Sequence, residues 1–479
     1  LLFNSFEFFL FLPVVFILYW TVVARRLAWQ NGLILIASYF FYGWWSWEFM
    51  GLLFLSTLLD YLYGFGVASS SKKWSKFFLW LSIINNLGIL AVFKYYNFFA
   101  EQFQTMLNGF GLDAHPVLLN IALPVGISFY TFHGMSYVFD IYRKQQIPVR
   151  QFVDYAVFVS FFPLLVAGPI ERANHLLPQV QRERTFNYSQ ALDGCRLILW
   201  GLVKKVVIAD TLADTVNLIF EQYPNQSASV LMVGMIAFSF QIYGDFSGYS
   251  DIALGAAKLF GFELLSNFRF PYFSRNIAEF WRRWHISLSS WFRDYLYIPL
   301  GGSKGTRFQT VRNTFIIFIV SGFWHGASWN FIIWGGIHAL AFLPLLMLNQ
   351  NRTFVGDVVA ENRMLPTLKE VGQLIRTFLL VSVAWIFFRA PDLKTASGYL
   401  SRLFHDSINH PSQFLHLPAH ADVFIYILPI ILLDWSFRRN ERQLTIPLPK
   451  WLRFSCYLLL IELVLFHLKV ESDFIYFQF

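Results

Sequence analysis

The sequence predicts an all-α, polytopic membrane protein of about 11 to 13 spans, with re-entrant and interfacial helices and a central cavity or tunnel. Three observations predict it. Of the 479 residues 56% are hydrophobic and only 14% are charged, against about 25% charged in soluble domains. Apolar runs of about 20 residues recur along the whole chain, each long enough for a hydrocarbon core of roughly 30 Å. The runs are continuous and do not alternate apolar with polar residues, as a β-barrel would require. No polar linker divides the chain, so 1–479 reads as a single membrane domain with its motif-bearing core at about 120–350.

The spans fall at roughly 8–24, 30–46, 49–67, 77–99, 119–141, 197–219, 229–258, 313–326, 329–348, 373–388, 422–436 and 451–468. The first reads as a span and not as a cleaved leader, because no small-residue cleavage site follows it. Basic loops orient the set. Arg25 and Arg26 follow the first span, Lys72, Lys73 and Lys76 the third, and Arg143, Lys144 and Arg150 the fifth. Alternation puts all three clusters in the cytoplasm. The multi-pass chain then belongs to the inner (cytoplasmic) membrane, with both termini outside.

One stretch resists that alternation. VFVSFFPLLVAGPIER (157–172) is apolar enough to cross, yet Arg172, Arg182 and Arg184 follow it on the side of Arg150. Pro163, Gly168 and Pro169 interrupt a helix there. A re-entrant segment reconciles the two. Broken backbone at membrane depth is tolerated only where protein or a polar cavity surrounds it.

The net charge of +8 points to the membrane surface and its lipids, not to nucleic acid. Cys195 and Cys456 form neither a disulfide framework nor a CxxC site and read as packing residues. His405, His410, His416 and His420 are too loosely spaced for a metal site and read as a solvated outer loop. No metal is expected.

The hairpin SGFWHGASWNFIIWGGIHAL (321–340) carries the chemistry. Its first arm starts near Arg312, so His325 lies roughly 18–20 Å further along a helix, short of the roughly 30 Å needed to cross. The run breaks at Gly326-Ala327-Ser328, which places His325 at a turn inside the membrane. An ionisable group there faces a cavity or a partner, and desolvation favours the neutral imidazole that a general base needs. The competing role is a core histidine bonded to a carbonyl. His338, on an unbroken run, reads as packing.

Three further stretches stand out. RNIAEFWRRWHISLSSWFRDYLYIPLGG (275–302) is too charged to span and reads as an interfacial element. Its Arg282 and Arg283 are candidates for donor phosphates, although lipid anchoring alone explains its Trp and Arg content. QIYGDFSGYSDIALG (241–255) places Asp245 and Asp251 in apolar surroundings, either as part of a polar channel or as a satisfied buried pair. WGLVKKVVIADTLAD (200–214) sets Lys204 where it can pair with an acid. Trp324 and Asn330, on either side of the hairpin break, join Arg282, Arg283, Asp245, Asp251 and Lys204 as candidate substrate- or donor-binding residues.

FWRRWHISLSSWFRDYLYIPLGG followed by SGFWHGASWNFIIWGGIHAL resembles the membrane-bound O-acyltransferases, in particular the bacterial branch typified by the alginate O-acetylation membrane subunit. LPVGISFYTFHGMSYVFDIYR, FFPLLVAGPIER, GLVKKVVIAD and YGDFSGYSDIALG are similar to further motifs of that branch. The likeness runs from about 1 to 350 and continues more weakly to the terminal FIYFQF. It implies a through-channel holding the family's core histidine, which by motif is His325, and a second family histidine matching His285. It implies an acyl thioester such as acetyl-CoA as donor substrate, with no bound cofactor. The acceptor is a glycan outside, or a periplasmic or extracellular acetyltransferase partner that relays the group. His325 acts as base or nucleophile, and His285 positions or polarises near the donor entrance. His133 stands where a polar amide is expected. Two other readings remain: D-alanyl transfer to teichoic acid, and a transporter or flippase, for which no inverted repeat speaks.

Overall fold

A computed structural model describes residues 2–113, 115–166, 168–442 and 448–469, and the terminal FIYFQF motif lies outside the described residues. The described residues form helices and connecting turns with no strand among them. Five helices are long and apolar enough to cross a membrane: Trp47–Val67, Lys72–Gly109, Ala228–Leu259, Trp329–Met347 and Leu368–Arg389. The chain divides into two compact units, one of residues 1–195 and 253–265, the other of 196–252 and 266–479.

In the first unit, Asp60 ties two long helices together. Its carboxylate accepts hydrogen bonds from Ser82 Oγ (2.7 Å) and Asn86 Nδ2 (2.9 and 3.0 Å). Gly134 lets a third helix, Ile127–Tyr142, pass close by, since a Cβ there would fall 2.1 Å from Asp60 Oδ2. That helix begins at Ile127, later than the apolar run at 119, because Pro124 and the left-handed Gly126 (φ 71°) delay it.

The broken backbone expected at 157–172 is present: after helices Phe152–Ser160 and Phe162–Leu165, residues 168–172 are non-helical, and helix Ala173–Val180 follows. Buried side chains satisfy its freed backbone groups. Ser38 Oγ accepts from Phe162 N (3.0 Å), and His133 Nε2 accepts from Glu171 N (3.0 Å). The Glu171 carboxylate in turn holds His175 Nδ1 (2.7 Å) and Leu265 N (2.6 Å).

In the second unit, a π-helical stretch, Val203–Ala209, carries Lys204 and Lys205. Gly201 and Gly248 let their segments approach: a Cβ on either would lie 2.5–2.7 Å from the other's carbonyl oxygen. The outer histidines do not sit in a simple loop. His405 belongs to helix Leu393–Asn409, which buries Ala396, Tyr399 and Leu403 and leaves Phe404 and Ile408 exposed among its polar residues. Cys195 and Cys456 are free thiols, the first exposed and the second half-buried.

Candidate active site

Helix Arg307–His325 starts with a capping box, in which Thr306 and Gln309 satisfy each other's backbone N–H. It ends on His325 itself. Gly326 is extended (φ −162°, ψ 149°), and Ser328 caps the next helix, Trp329–Met347, by accepting from Asn330 N (3.3 Å). Gly322 and Gly335 clamp the two arms. A Cβ on Gly322 would lie 2.2 Å from the Phe331 carbonyl oxygen, and one on Gly335 would lie 2.3 Å from that of Phe318. Backbone cannot yield as a flexible side chain can, so the sequence fixes His325 at the tip of a tight helical hairpin.

His325 is 3% exposed. Its ring centroid lies 4.8 Å from Trp324, 5.1 Å from Trp334, 5.3 Å from Phe388 and 6.4 Å from His285. Asn330 ties the hairpin to the end of helix Leu368–Arg389 by donating from Nδ2 to the Ala390 carbonyl (2.6 Å).

His285 sits between two short helices, Ile277–Arg283 and Ile286–Phe292, in a left-handed conformation (φ 43°, ψ 55°). A residue with a Cβ is strained there. Asn267 holds the bend: Ile286 N donates to its carbonyl (2.9 Å), and Ser287 Oγ donates to its Oδ1 (2.6 Å). The same Oδ1 lies 3.3 Å from His285 Nδ1. An amide oxygen only accepts, so Nδ1 carries the proton and Nε2 presents a lone pair. That Nε2 is buried and has no hydrogen-bond partner among the described residues. Burial pushes the imidazole down to about 3, which keeps it neutral across the physiological range.

The structure brings His285, Trp324 and His325 together. The other candidates are engaged elsewhere by their own chain. Arg282 donates to the carbonyls of Asn351 (2.8 Å) and Phe354 (3.4 Å). Arg283 donates to Glu279 (2.8 Å) and to the carbonyls of Asp357 (2.7 Å) and Arg269 (3.2 Å). Lys204 pairs with Asp251 at 2.5 Å, while Lys205 pairs with Asp245 (2.6 Å) and Asp210 (2.8 Å). Of the two arrangements open for the acidic pair, this geometry is the satisfied buried one. Beside it, Tyr243 donates to the buried Asp434 at 2.7 Å. His338 is fully buried, packed against Trp334 at 4.8 Å and accepting at Nδ1 from Trp281 Nε1 at 3.3 Å.

Sequence reasoning missed Asn267, whose place beneath His285 depends on a turn no pattern announces. It also missed Trp334. The helical spacing Asn330, Trp334, His338 puts all three on one face and was the available signal.

The class that this fold defines is a multi-pass helical membrane protein with two imidazoles buried side by side. Residues 130–365 match the model of the membrane-bound O-acyltransferase family. The chain is 42% identical over 398 residues to a probable alginate O-acetylase of Pseudomonas aeruginosa, covering 83% of this chain and 73% of that one. It is 32% identical to a peptidoglycan O-acetyltransferase of Helicobacter pylori over 100% of this chain and 98% of that one. A teichoic acid D-alanyltransferase of Bacillus subtilis is 30% identical over 46% of this chain and 58% of its own length. The protein belongs to the membrane-bound O-acyltransferase family, and it is an enzyme of the O-acetyltransferase kind.

Proposed function

We propose that the chain, working as one domain in the cytoplasmic membrane, takes an acetyl group from a cytoplasmic thioester, acetyl-CoA. It delivers the group to a hydroxyl on an extracytoplasmic polysaccharide, directly or through a relay acetyltransferase outside. His325 is the proton acceptor. The hydroxyl oxygen bonds to the acyl carbon as its proton passes to His325; the C–S bond then breaks, and His325 returns that proton to the leaving sulfur. His285, held neutral with its Nε2 lone pair outward from Asn267, orients the hydroxyl or the donor beside it. A passage through the bilayer around His325 lets the two substrates meet from opposite faces.

One observation carries the reading: a buried imidazole ends a clamped helix 6.4 Å from a second buried imidazole on a strained turn. A fold does not keep such groups at this cost without use. The acetylating relatives cover 83% and 100% of the chain, whereas the D-alanylating relatives cover 46% and 58% of it, which favours acetate over D-alanine.

Sealed inverted vesicles test the route. Radiolabelled acetyl-CoA added outside them should label glycan or partner protein inside, in a reaction lost with His325→Ala. Labelled acceptor only on the face where donor was added would refute the transmembrane route.

A further inference from the structure

Trp334 is fully buried, and its indole N–H has no acceptor among the described residues. Its ring stands edge-on to His325, 5.1 Å away at 87°, and stacks on Trp385 at 5.5 Å and 23°. One turn further along the same helix face is His338. Trp281 can only donate, so its 3.3 Å bond to His338 Nδ1 fixes the His338 proton on Nε2. That Nε2 is likewise buried and without a partner among the described residues.

The two rings lie 4.8 Å apart, and a buried N–H that is desolvated and unanswered is uncommon in folded proteins and calls for an explanation. Neither can accept in this arrangement, so whatever they face must be an acceptor. Packed edge-on to His325 and stacked on Trp385, the Trp334 ring has little freedom to turn elsewhere.

We propose that Trp334 is a further catalytic residue: its indole N–H donates to the carbonyl oxygen of the acyl thioester, and the His338 N–H, one turn on, completes a two-donor pocket. The inference rests on the reading of His325 as the base. When the acceptor oxygen bonds to the acyl carbon, the C=O electron pair moves onto oxygen, and the proton goes to His325. The two N–H groups stabilise that oxyanion in a dry site, where such donors act most strongly. The C=O bond reforms as C–S breaks and the sulfur takes the proton. Donors fixed before the charge appears need no reorganisation at the moment of reaction.

The test replaces Trp334 in the full-length membrane enzyme with 3-benzothienylalanine, which keeps the ring shape and exchanges the N–H for sulfur. Transfer from radiolabelled acetyl-CoA in vesicles should fall in kcat by about 10²- to 10³-fold with little change in donor KM. An unchanged kcat overturns the pocket. Should that protein not accumulate, His338→Leu is expected to lose more kcat than His338→Gln, which keeps an N–H, at equal membrane level. Equal kcat in the two His338 variants also overturns it. Activity surviving in His325→Ala would instead sink the underlying base assignment; an inactive His325→Ala beside a fully active benzothienylalanine enzyme would sink the pocket alone.

Discussion

The rings of His285 and His325 lie 6.4 Å apart, centroid to centroid, at 57° to each other. In sequence they are separated by helix Ile286–Phe292 and by the helix Arg307–His325 that ends on His325 itself. Asn267 below one and the glycine-clamped hairpin tip below the other hold the pair, so each imidazole is placed by structure that the other does not share.

His285 gives a pH dependence of stability. Its pKa is about 3 in the fold and 6.5 as the ordinary value. The fold favours the neutral ring, so its contribution is complete above about pH 6.5 and is lost as pH falls toward about 3. Melting temperature in detergent should therefore drop more steeply over that window for the wild-type chain than for His285→Gln. Parallel slopes for both chains contradict this.

His133 resolves into a positioning role. It accepts from Glu171 N at Nε2 (3.0 Å), and Nδ1 faces the Val159 carbonyl at 3.5 Å. One acceptor and one donor are also what an amide offers, which explains why histidine stands where a polar amide was expected. His133→Gln should retain most membrane accumulation and activity, and His133→Leu should lose both. Equal behaviour of the two, scored by immunoblot and acetyl transfer, speaks against the role.

Lys205 lies 1% exposed between Asp210 and Asp245. Removing its charge leaves carboxylates buried without their cation, which typically costs about 3–5 kcal/mol. Lys205→Met is expected to aggregate at a markedly lower temperature than wild type. An unshifted aggregation temperature shows that the network does not hold the fold together.

The basic loops predict sidedness. A tag inserted at Arg307 should be reached only from the cytoplasm, and one at the C-terminus only from outside. Reaction of both tags from the same face breaks that topology.

Much of the hairpin was legible in the sequence because its signals are local. The apolar run after Arg312, the break at Gly326-Ala327-Ser328 and the restart at Trp329 each leave a mark in composition, and the helices end at those residues. What was not legible depends on contacts between distant residues. The bond from Trp281 to His338 decides which nitrogen of His338 carries a proton, and Asn267 decides the same for His285. Helix Leu393–Asn409 does not register as an apolar run because Lys394, Ser397, Arg402, His405 and Asp406 interrupt its apolar residues. The carbonyls of Asn351 and Asp357 that engage Arg282 and Arg283 lie about seventy residues on, in a stretch without pattern, whereas Glu279, which also holds Arg283, stands one helical turn before it.

The most direct measurement is acetyl transfer by His325→Ala, normalised to the amount of protein in the membrane and set beside His325→Gln. General-base assistance contributes about 10²- to 10⁴-fold. Both variants should insert at wild-type levels, and transfer should fall by at least that factor. Normal insertion with transfer within a few-fold of wild type would contradict the general-base role.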